Sequence, residues 1–183
     1  MIRRLHWGCG PKTPYGWVNS DIAPFPGVDV VADILSGLPF PDNSFDVIVS
    51  IHVLPEIPYR SLPAALSELR RVLCPGGVLR LALPDMNKAI QAYRNDDVDY
   101  FFLIPDEEAY SISSKMITQL LWYGQSRTLF TPEFAREALT KAAYIEISDC
   151  AFRVTESNHP GITDLDDREL ESFFIEARKP TTP

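Results

Sequence analysis

The sequence predicts an α/β fold whose core is a doubly wound, mostly parallel sheet of seven strands. Short strand-like runs alternate with segments of helical spacing, as they do in doubly wound sheets. The run FDVIVSIHVL (45–54) is apolar almost throughout, which is typical of a strand buried on both faces of a parallel sheet. Near the end of the chain, two runs alternate apolar and polar residues and predict closing strands.

The seven predicted strands follow one another in a regular order, five in the first half of the chain and two near its end. They are IRRLHWG (2–8), WVNSDI (17–22), VDVVADI (28–34), FDVIVSIHVL (45–54), VLRLALP (78–84), IEISDCAFRV (145–154) and ESFFIEARK (171–179). The proline-rich loop LPFPDNSF (38–45) separates the third strand from the fourth.

Four segments have the pattern of helices. In SLPAALSELRRVL (61–73) the apolar residues share one face, and the following CPGG ends the helix. MNKAIQAYRND (86–96) and residues 114–122 are two further predicted helices. The last helix begins at Thr131, an N-cap residue that is followed by Pro132 at the first helical position.

Composition limits the number of domains and the kinds of partner. The 183 residues suit a single domain over 1–183, within which 86–130 is expected to form a helical lid or insertion. The net charge of −8 disfavours nucleic acid, because an acidic surface repels phosphate backbones. No stretch approaches the roughly 20 apolar residues that cross a bilayer, so no membrane partner is expected.

The N-terminus and the cysteines favour a cytoplasmic protein. MIRRLHWGCG has two arginines without the apolar segment of a signal peptide, and it leaves little room for a lid before the first strand. Cys9, Cys74 and Cys150 are odd in number, far apart and without C-x-x-C spacing. We therefore expect reduced thiols and no metal site.

Gly8 and Gly10 form a Gly-x-Gly turn after the first predicted strand, which is the outline of a nucleotide site. Glycines let the backbone approach a ligand closely, and open α/β sheets bind ligands at the carboxyl ends of their strands. Asp21 ends the second predicted strand, where a carboxylate can accept hydrogen bonds from a ribose diol. Asp33 ends the third, where it can accept from an exocyclic amine. We expect all four residues to face one nucleoside.

Four blocks of sequence follow one another over about residues 5–85. They are LHWGCGP, NSDI, ADILSGLPFPDNSFDVIVSIHVLPEI and LSELRRVLCPGGVLRLALPD. Their order and spacing resemble those of the class I S-adenosylmethionine-dependent methyltransferases of the Rossmann-like type, methyltransferase type 11 in particular. The resemblance implies a methyltransferase sheet whose last strand is antiparallel, with a helical insertion after the fifth strand.

The resemblance also implies S-adenosylmethionine as the cofactor. The cofactor-binding residues that it implies are His6, Gly8, Cys9, Gly10, Asp21, Ile22, Asp33, Ile34 and Ser50. This cofactor has no phosphate, so the third glycine of a dinucleotide turn, absent here, matters less. The short PKTPYG that follows the turn opposes a regular helix, because it contains two prolines and a glycine.

Two positions depart from the family's pattern. His6 stands where the family usually has an acid in the first strand, and it is either a hydrogen-bonding substitute or a partly buried strand residue. HVLPEI keeps His52 but has Pro55 and Glu56 in place of a Glu-His pair. His52 is the candidate catalytic base, because its ordinary pKa lies near neutrality, and packing against the cofactor is its alternative role. Glu56 and Asp85 are weaker candidates.

The implied activity is methyl transfer to a small-molecule or saccharide-type acceptor. A catalytically inactive binding module with the same fold is the alternative, and His6 and the altered HVLPEI favour it. An NAD-type reductase is disfavoured by the missing third glycine.

The segment 86–130 is expected to select the acceptor, because it is long for a simple connection and rich in aromatic residues. They include Tyr93, Tyr100, Phe101, Phe102, Tyr110, Trp122 and Tyr123. Such side chains suit the wall of a pocket over the methyl group. The alternative is an added helical layer or the face of a homodimer.

Overall fold

The computed structural model describes residues 2–181, which form one seven-stranded sheet with helices packed against it. The strands are β1 (Arg4–Trp7), β2 (Val18–Asp21), β3 (Val30–Val31), β4 (Phe45–Ile51), β5 (Leu73–Pro84), β6 (Ile145–Cys150) and β7 (Ser172–Arg178). The α-helices are α1 (Leu62–Val72), α2 (Met86–Arg94), α3 (Ile112–Leu121) and α4 (Pro132–Lys141). Within the described residues, no helix has the length and apolar character required to span a membrane.

The strand order is β3-β2-β1-β4-β5-β7-β6. The first five strands pair in parallel, and β7 runs antiparallel to both of its neighbours, β5 and β6. This topology confirms the predicted fold class, including the antiparallel last strand. Because β7 runs the other way, its first residues lie at the carboxyl edge of the parallel strands.

Strands β3 and β4, which lead into the carboxyl edge, end earlier than the sequence predicts. β3 contains only two residues, because Asp33 already caps the short 3₁₀ helix Ile34–Ser36. β4 ends at Ile51, and His52 adopts a left-handed backbone with φ of 58° that turns the chain out of the sheet. His52 directly follows β4 and Asp33 lies two positions after β3, so both residues are at the carboxyl edge.

The two faces of the sheet are covered in different ways. Helices α1 and α4 bury one face in the main apolar core, which includes Leu5, Ile48 and Leu81. The opposite face is covered by the irregular connection 151–171, whose Ile162 packs with Trp17 and with valines of β4 and β5. Within the described structure no helix joins β1 to β2, as the composition of PKTPYG predicts.

A buried ionic cluster holds that connection to the sheet. Arg80 on β5 is fully buried and donates hydrogen bonds to Asp166 at 2.5 and 3.0 Å and to Glu176 at 2.6 Å. The same guanidinium donates to the carbonyl oxygens of Ala151 and Val154. One side chain thus ties both ends of the connection to β5 and β7.

The chain between β5 and α4 forms the helical insertion that the sequence predicts. It contains α2, the 3₁₀ helix Val98–Phe101 and α3, which pack around Ala89, Ala92 and Phe101. Helix α3 is capped by Ser111, whose hydroxyl accepts from the backbone of Ser114. The insertion therefore has its own small apolar core beside the carboxyl edge of the sheet.

Candidate functional site

A cavity of about 690 Å³ runs along the carboxyl edge of the sheet. Each of the first five strands contributes residues to its lining at or just beyond its end. These residues are Gly8 and Gly10 after β1, Asp21 and Ile22 at the end of β2, Asp33 and Ile34 after β3, His52 after β4 and Asp85 after β5. The structure thus brings the predicted glycine turn and both predicted carboxylates to one site.

The glycine turn is held against the end of β2. The backbone N–H groups of Gly8 and Cys9 both donate to the carbonyl oxygen of Ser20, at 2.8 and 3.1 Å. Gly8 and Gly10 have φ of 69° and 54°, in the left-handed region that favours glycine. A Cβ on Gly8 would lie 2.1 Å from a methyl group of Val53, whereas a Cβ on Gly10 would meet nothing within 4 Å. Gly8 is thus required by packing, and Gly10 leaves open space.

The carboxylate of Asp21 connects the glycine turn to the next loop. Its Oδ2 accepts from the N–H of Gly10 at 2.7 Å, and its Oδ1 accepts from the N–H of Ala23 at 2.9 Å. Each carboxylate oxygen has a second lone pair, so both can still accept from a ligand hydroxyl. Asp33 is held similarly, because its Oδ1 accepts from the N–H of Leu35 at 2.9 Å.

Apolar side chains lie between these two carboxylates. Ile22, Phe25 and Leu35 line the cavity and are substantially exposed, and Ile34 beside them is buried. Exposed apolar residues around hydrogen-bonding groups are typical of a ligand site. This end of the cavity suits a flat apolar ring that carries polar edges.

Three of the predicted cofactor residues do not line the cavity. His6 lies on the opposite face of the sheet, with its ring centroid 6.4 Å from that of Trp17, and burial lowers its pKa to about 4. Cys9 and Ser50 are both buried. A direct contact of these three residues with the cofactor stays a prediction.

His52 lies in the cavity wall, where β4 ends and the following loop begins. Its Nε2 is 2.6 Å from the hydroxyl oxygen of Ser172, the first residue of β7. Burial, with the nearby charge of Arg168, lowers the pKa of His52 to about 3. The imidazole is therefore neutral at physiological pH and is a weak base, which argues against its candidate catalytic role.

Comparisons with known proteins agree with this architecture. The model of a family described as a methyltransferase domain matches residues 15–81. Probable methyltransferase ltbC from Aspergillus luteorubrus is 50% identical over 48 residues, which are 26% of this chain and 17% of that protein. The match thus spans a small part of that relative's length.

Solved structures resemble nearly the whole chain. A methyltransferase from Thermotoga maritima, described as a possible histamine N-methyltransferase, is 18% identical with a TM-score of 0.61, over 98% of this chain and 83% of that one. A methyltransferase from Archaeoglobus fulgidus is 14% identical, also with a TM-score of 0.61, over 97% and 86% of the two chains. The fold is that of the class I S-adenosylmethionine-dependent methyltransferases. The resemblance inferred from the four sequence blocks is confirmed.

The insertion closes the cavity at the end away from Asp33 in this methyltransferase fold. Of the seven aromatic residues named from the sequence, Tyr100 and Trp122 line the cavity, and Phe101 is buried in the insertion. Burial and the nearby charges of Asp85 and Glu171 raise the pKa of Tyr100. Its phenol therefore stays protonated.

Several residues that line this end were not singled out from the sequence. They are Gln119, Arg127, Arg168 and Glu171. Glu171 is identifiable in retrospect, because it directly precedes an antiparallel strand whose start lies at the carboxyl edge. Among the described residues, no group of three or more His, Cys, Asp or Glu is arranged to hold a metal ion.

Two histidines with lowered pKa values, the buried His6 and the partly buried His52, should make the methyltransferase fold sensitive to acid. Below pH 6.5 the unfolded chain protonates His6 and His52, whereas the folded chain does so only near about 4 and 3. Stability is therefore lost as the pH falls from 6.5, by up to about 1.4 kcal/mol per pH unit for each histidine. Urea unfolding of wild type and of His52→Gln at pH 7 and pH 5 measures this loss. Equal losses in the two proteins would contradict it.

Proposed function

We propose that this chain transfers the methyl group of S-adenosylmethionine to a small-molecule acceptor. One observation supports the proposal most directly. The carboxylate of Asp21 accepts a hydrogen bond from the N–H of Gly10 in the glycine turn, and both residues line one cavity with Asp33. The cavity continues past the end of β4 to Asp85 and the insertion. It therefore has room for a second ligand beside a nucleoside.

The residues present fit this cofactor. The carboxylate of Asp21 would accept from the ribose hydroxyls, and Asp33 would accept from the adenine amine. Ile22 and Ile34 would pack against the base, while the open space at Gly10 admits the amino-acid end. When bound, the cofactor supplies an activated methyl group on a sulfonium.

The work left to the protein is alignment of the acceptor. Holding two reactants in the correct geometry removes a large part of the barrier to their reaction. The hydrogen bond between His52 and Ser172 fixes the cavity wall where β4 and β7 meet. His52 then acts by packing and orientation, the alternative to a base.

Binding of S-adenosylhomocysteine, the demethylated product, tests the cofactor. Calorimetry should show a micromolar dissociation constant, about −8 kcal/mol. Asp21→Ala should weaken binding by about 2–3 kcal/mol, because two ribose hydrogen bonds are lost, and Asp33→Ala by about 1 kcal/mol. Asp99→Ala, at an exposed position outside the cavity, is the control. No detectable heat at millimolar ligand would refute the cofactor, and equal losses would refute the placement of the ribose.

A non-catalytic binding module remains the second candidate, since His52 is a poor base. A screen of acceptors with methyl-labelled cofactor separates the two functions. Transfer to any acceptor supports the enzyme, whereas tight cofactor binding without transfer to a broad set of acceptors supports the module.

A further inference from the structure

The end of the cavity under the insertion has a distinctive set of side chains. Asp85 and Glu171 are 8% and 5% exposed, and both line the cavity. Their backbones are joined directly, because the N–H of Asp85 donates to the carbonyl oxygen of Glu171 at 2.8 Å. Two acidic residues of the cavity lining are thus joined through their backbones where β5 ends and β7 begins.

Each of these carboxylates keeps an oxygen without a hydrogen-bond partner in the described structure. Oδ1 of Asp85 accepts from the N–H groups of Asn87 and Lys88, and Oε1 of Glu171 accepts from Arg168 at 3.4 Å. Oδ2 of Asp85 and Oε2 of Glu171 make no such bond. Both residues line the cavity, so each free carboxylate oxygen can accept a hydrogen bond from a ligand that donates.

The amide oxygen of Gln119, at the same end of the cavity, also lacks a hydrogen-bond donor among the described residues. Oε1 of Gln119 on α3 is buried without a hydrogen-bond partner, and Gln119 lines the cavity. The rings of Tyr100 and Trp122 complete the lining here. Aromatic faces attract organic cations, and the surrounding acceptor atoms call for N–H donors.

The charge of the whole cavity also favours a cationic ligand. Its lining includes five carboxylates and two guanidiniums, so its field is negative. One of the guanidiniums, that of Arg168, already donates to Glu171. A negative cavity concentrates cations and repels anionic acceptors.

We propose that the acceptor is an organic amine whose nitrogen binds between Asp85, Glu171 and the rings of Tyr100 and Trp122. This proposal rests on the methyl-transfer function proposed above. The bound ammonium first passes one proton through the carboxylate of Glu171 or Asp85 to solvent, which leaves a free-base amine. The nitrogen lone pair then forms the N–C bond, while the C–S bond breaks and leaves its electron pair on sulfur. The carboxylates take the proton, so the weak basicity of His52 is no obstacle. The product is an ammonium ion, which the two carboxylates stabilise.

Calorimetry on the protein saturated with S-adenosylhomocysteine tests the proposal without turnover. The probes are 2-phenylethylamine, the neutral 2-phenylethanol and the anionic 3-phenylpropanoate. The amine should bind at least about tenfold more tightly than the alcohol, and the anion should bind most weakly. Equal affinities, tightest binding of the anion, or no binding of any probe would overturn the proposal.

Variants assign the preference to the two carboxylates. Glu171→Gln should weaken amine binding about tenfold or more and leave the affinity for the alcohol unchanged. Asp85→Asn, which keeps an N-cap residue for α2, should act in the same direction and serves if the first variant does not fold. Glu107→Gln, at an exposed position of the insertion outside the cavity, is the matched control. An amine preference that survives both cavity variants would refute the assignment.

Affinity for S-adenosylhomocysteine separates the two proposals. If a cavity variant loses the amine preference but binds S-adenosylhomocysteine with unchanged affinity, the substitution affects the acceptor subsite alone. Failure of the wild-type protein to bind S-adenosylhomocysteine would refute the methyl-transfer function itself.

Discussion

Replacing Arg80 by methionine should destabilise the protein by about 3–5 kcal/mol, because two buried carboxylates lose their positive partner. The side chains of Arg80 and Asp166 are fully buried, and that of Glu176 is 5% exposed. The guanidinium also satisfies two carbonyl oxygens of the connection 151–171. Urea unfolding at pH 7 measures the change, and the connection should become susceptible to limited proteolysis.

Two further variants show whether the loss comes from the buried charges. Arg136→Met removes a surface ion pair with Asp149, whose two side chains are 42% and 58% exposed, and should cost about 1 kcal/mol or less. Combining Arg80→Met with Asp166→Leu and Glu176→Leu removes all three charges and should recover part of the stability. A loss for Arg80→Met no larger than that for Arg136→Met would refute the role of the cluster.

The residues that follow β1, β2 and β3 were predictable from the sequence because their positions depend on local patterns. Gly8, Asp21 and Asp33 each follow an apolar run that reads as a strand, and parallel strands bring their carboxyl ends to one edge. The strand boundaries were less accurate, since Asp33 is drawn into a helix cap instead of the strand. Its place in the cavity does not depend on that difference.

The ionic cluster of the fold and the rest of the site depend on contacts that no local pattern reveals. Arg80 hydrogen-bonds to Asp166, which lies 86 positions further along the chain. Glu171 reaches the cavity only because β7 is antiparallel, a direction that the resemblance supplied and the residues themselves did not. The pKa of His52 falls through burial against residues from β7 and the connection before it. Residue type alone therefore does not give the pKa of a candidate base, and the catalytic role of His52 stays a prediction.

Replacing Gly8 by alanine should destabilise the protein by about 3 kcal/mol and weaken cofactor binding. The left-handed backbone costs about 1–2 kcal/mol for a residue with a Cβ, and overpacking adds about 1–3 kcal/mol. The new Cβ would lie 2.1, 2.6 and 2.8 Å from three side-chain atoms of Val53, so the turn or the cavity wall has to move. Thermal unfolding and calorimetry with S-adenosylhomocysteine measure the two effects.

Gly10 provides the matched control for this change. Gly10→Ala has a similar left-handed backbone but meets no protein atom within 4 Å, so it should lose only about 1–2 kcal/mol of stability. Its Cβ points into open space beside the proposed cofactor site. The free energy of S-adenosylhomocysteine binding should therefore fall by more than the free energy of unfolding. Adding Val53→Ala to Gly8→Ala removes two of the three close contacts and should restore part of the stability. If the changes in unfolding free energy of the two single variants simply add in the double variant, the two side chains do not interact.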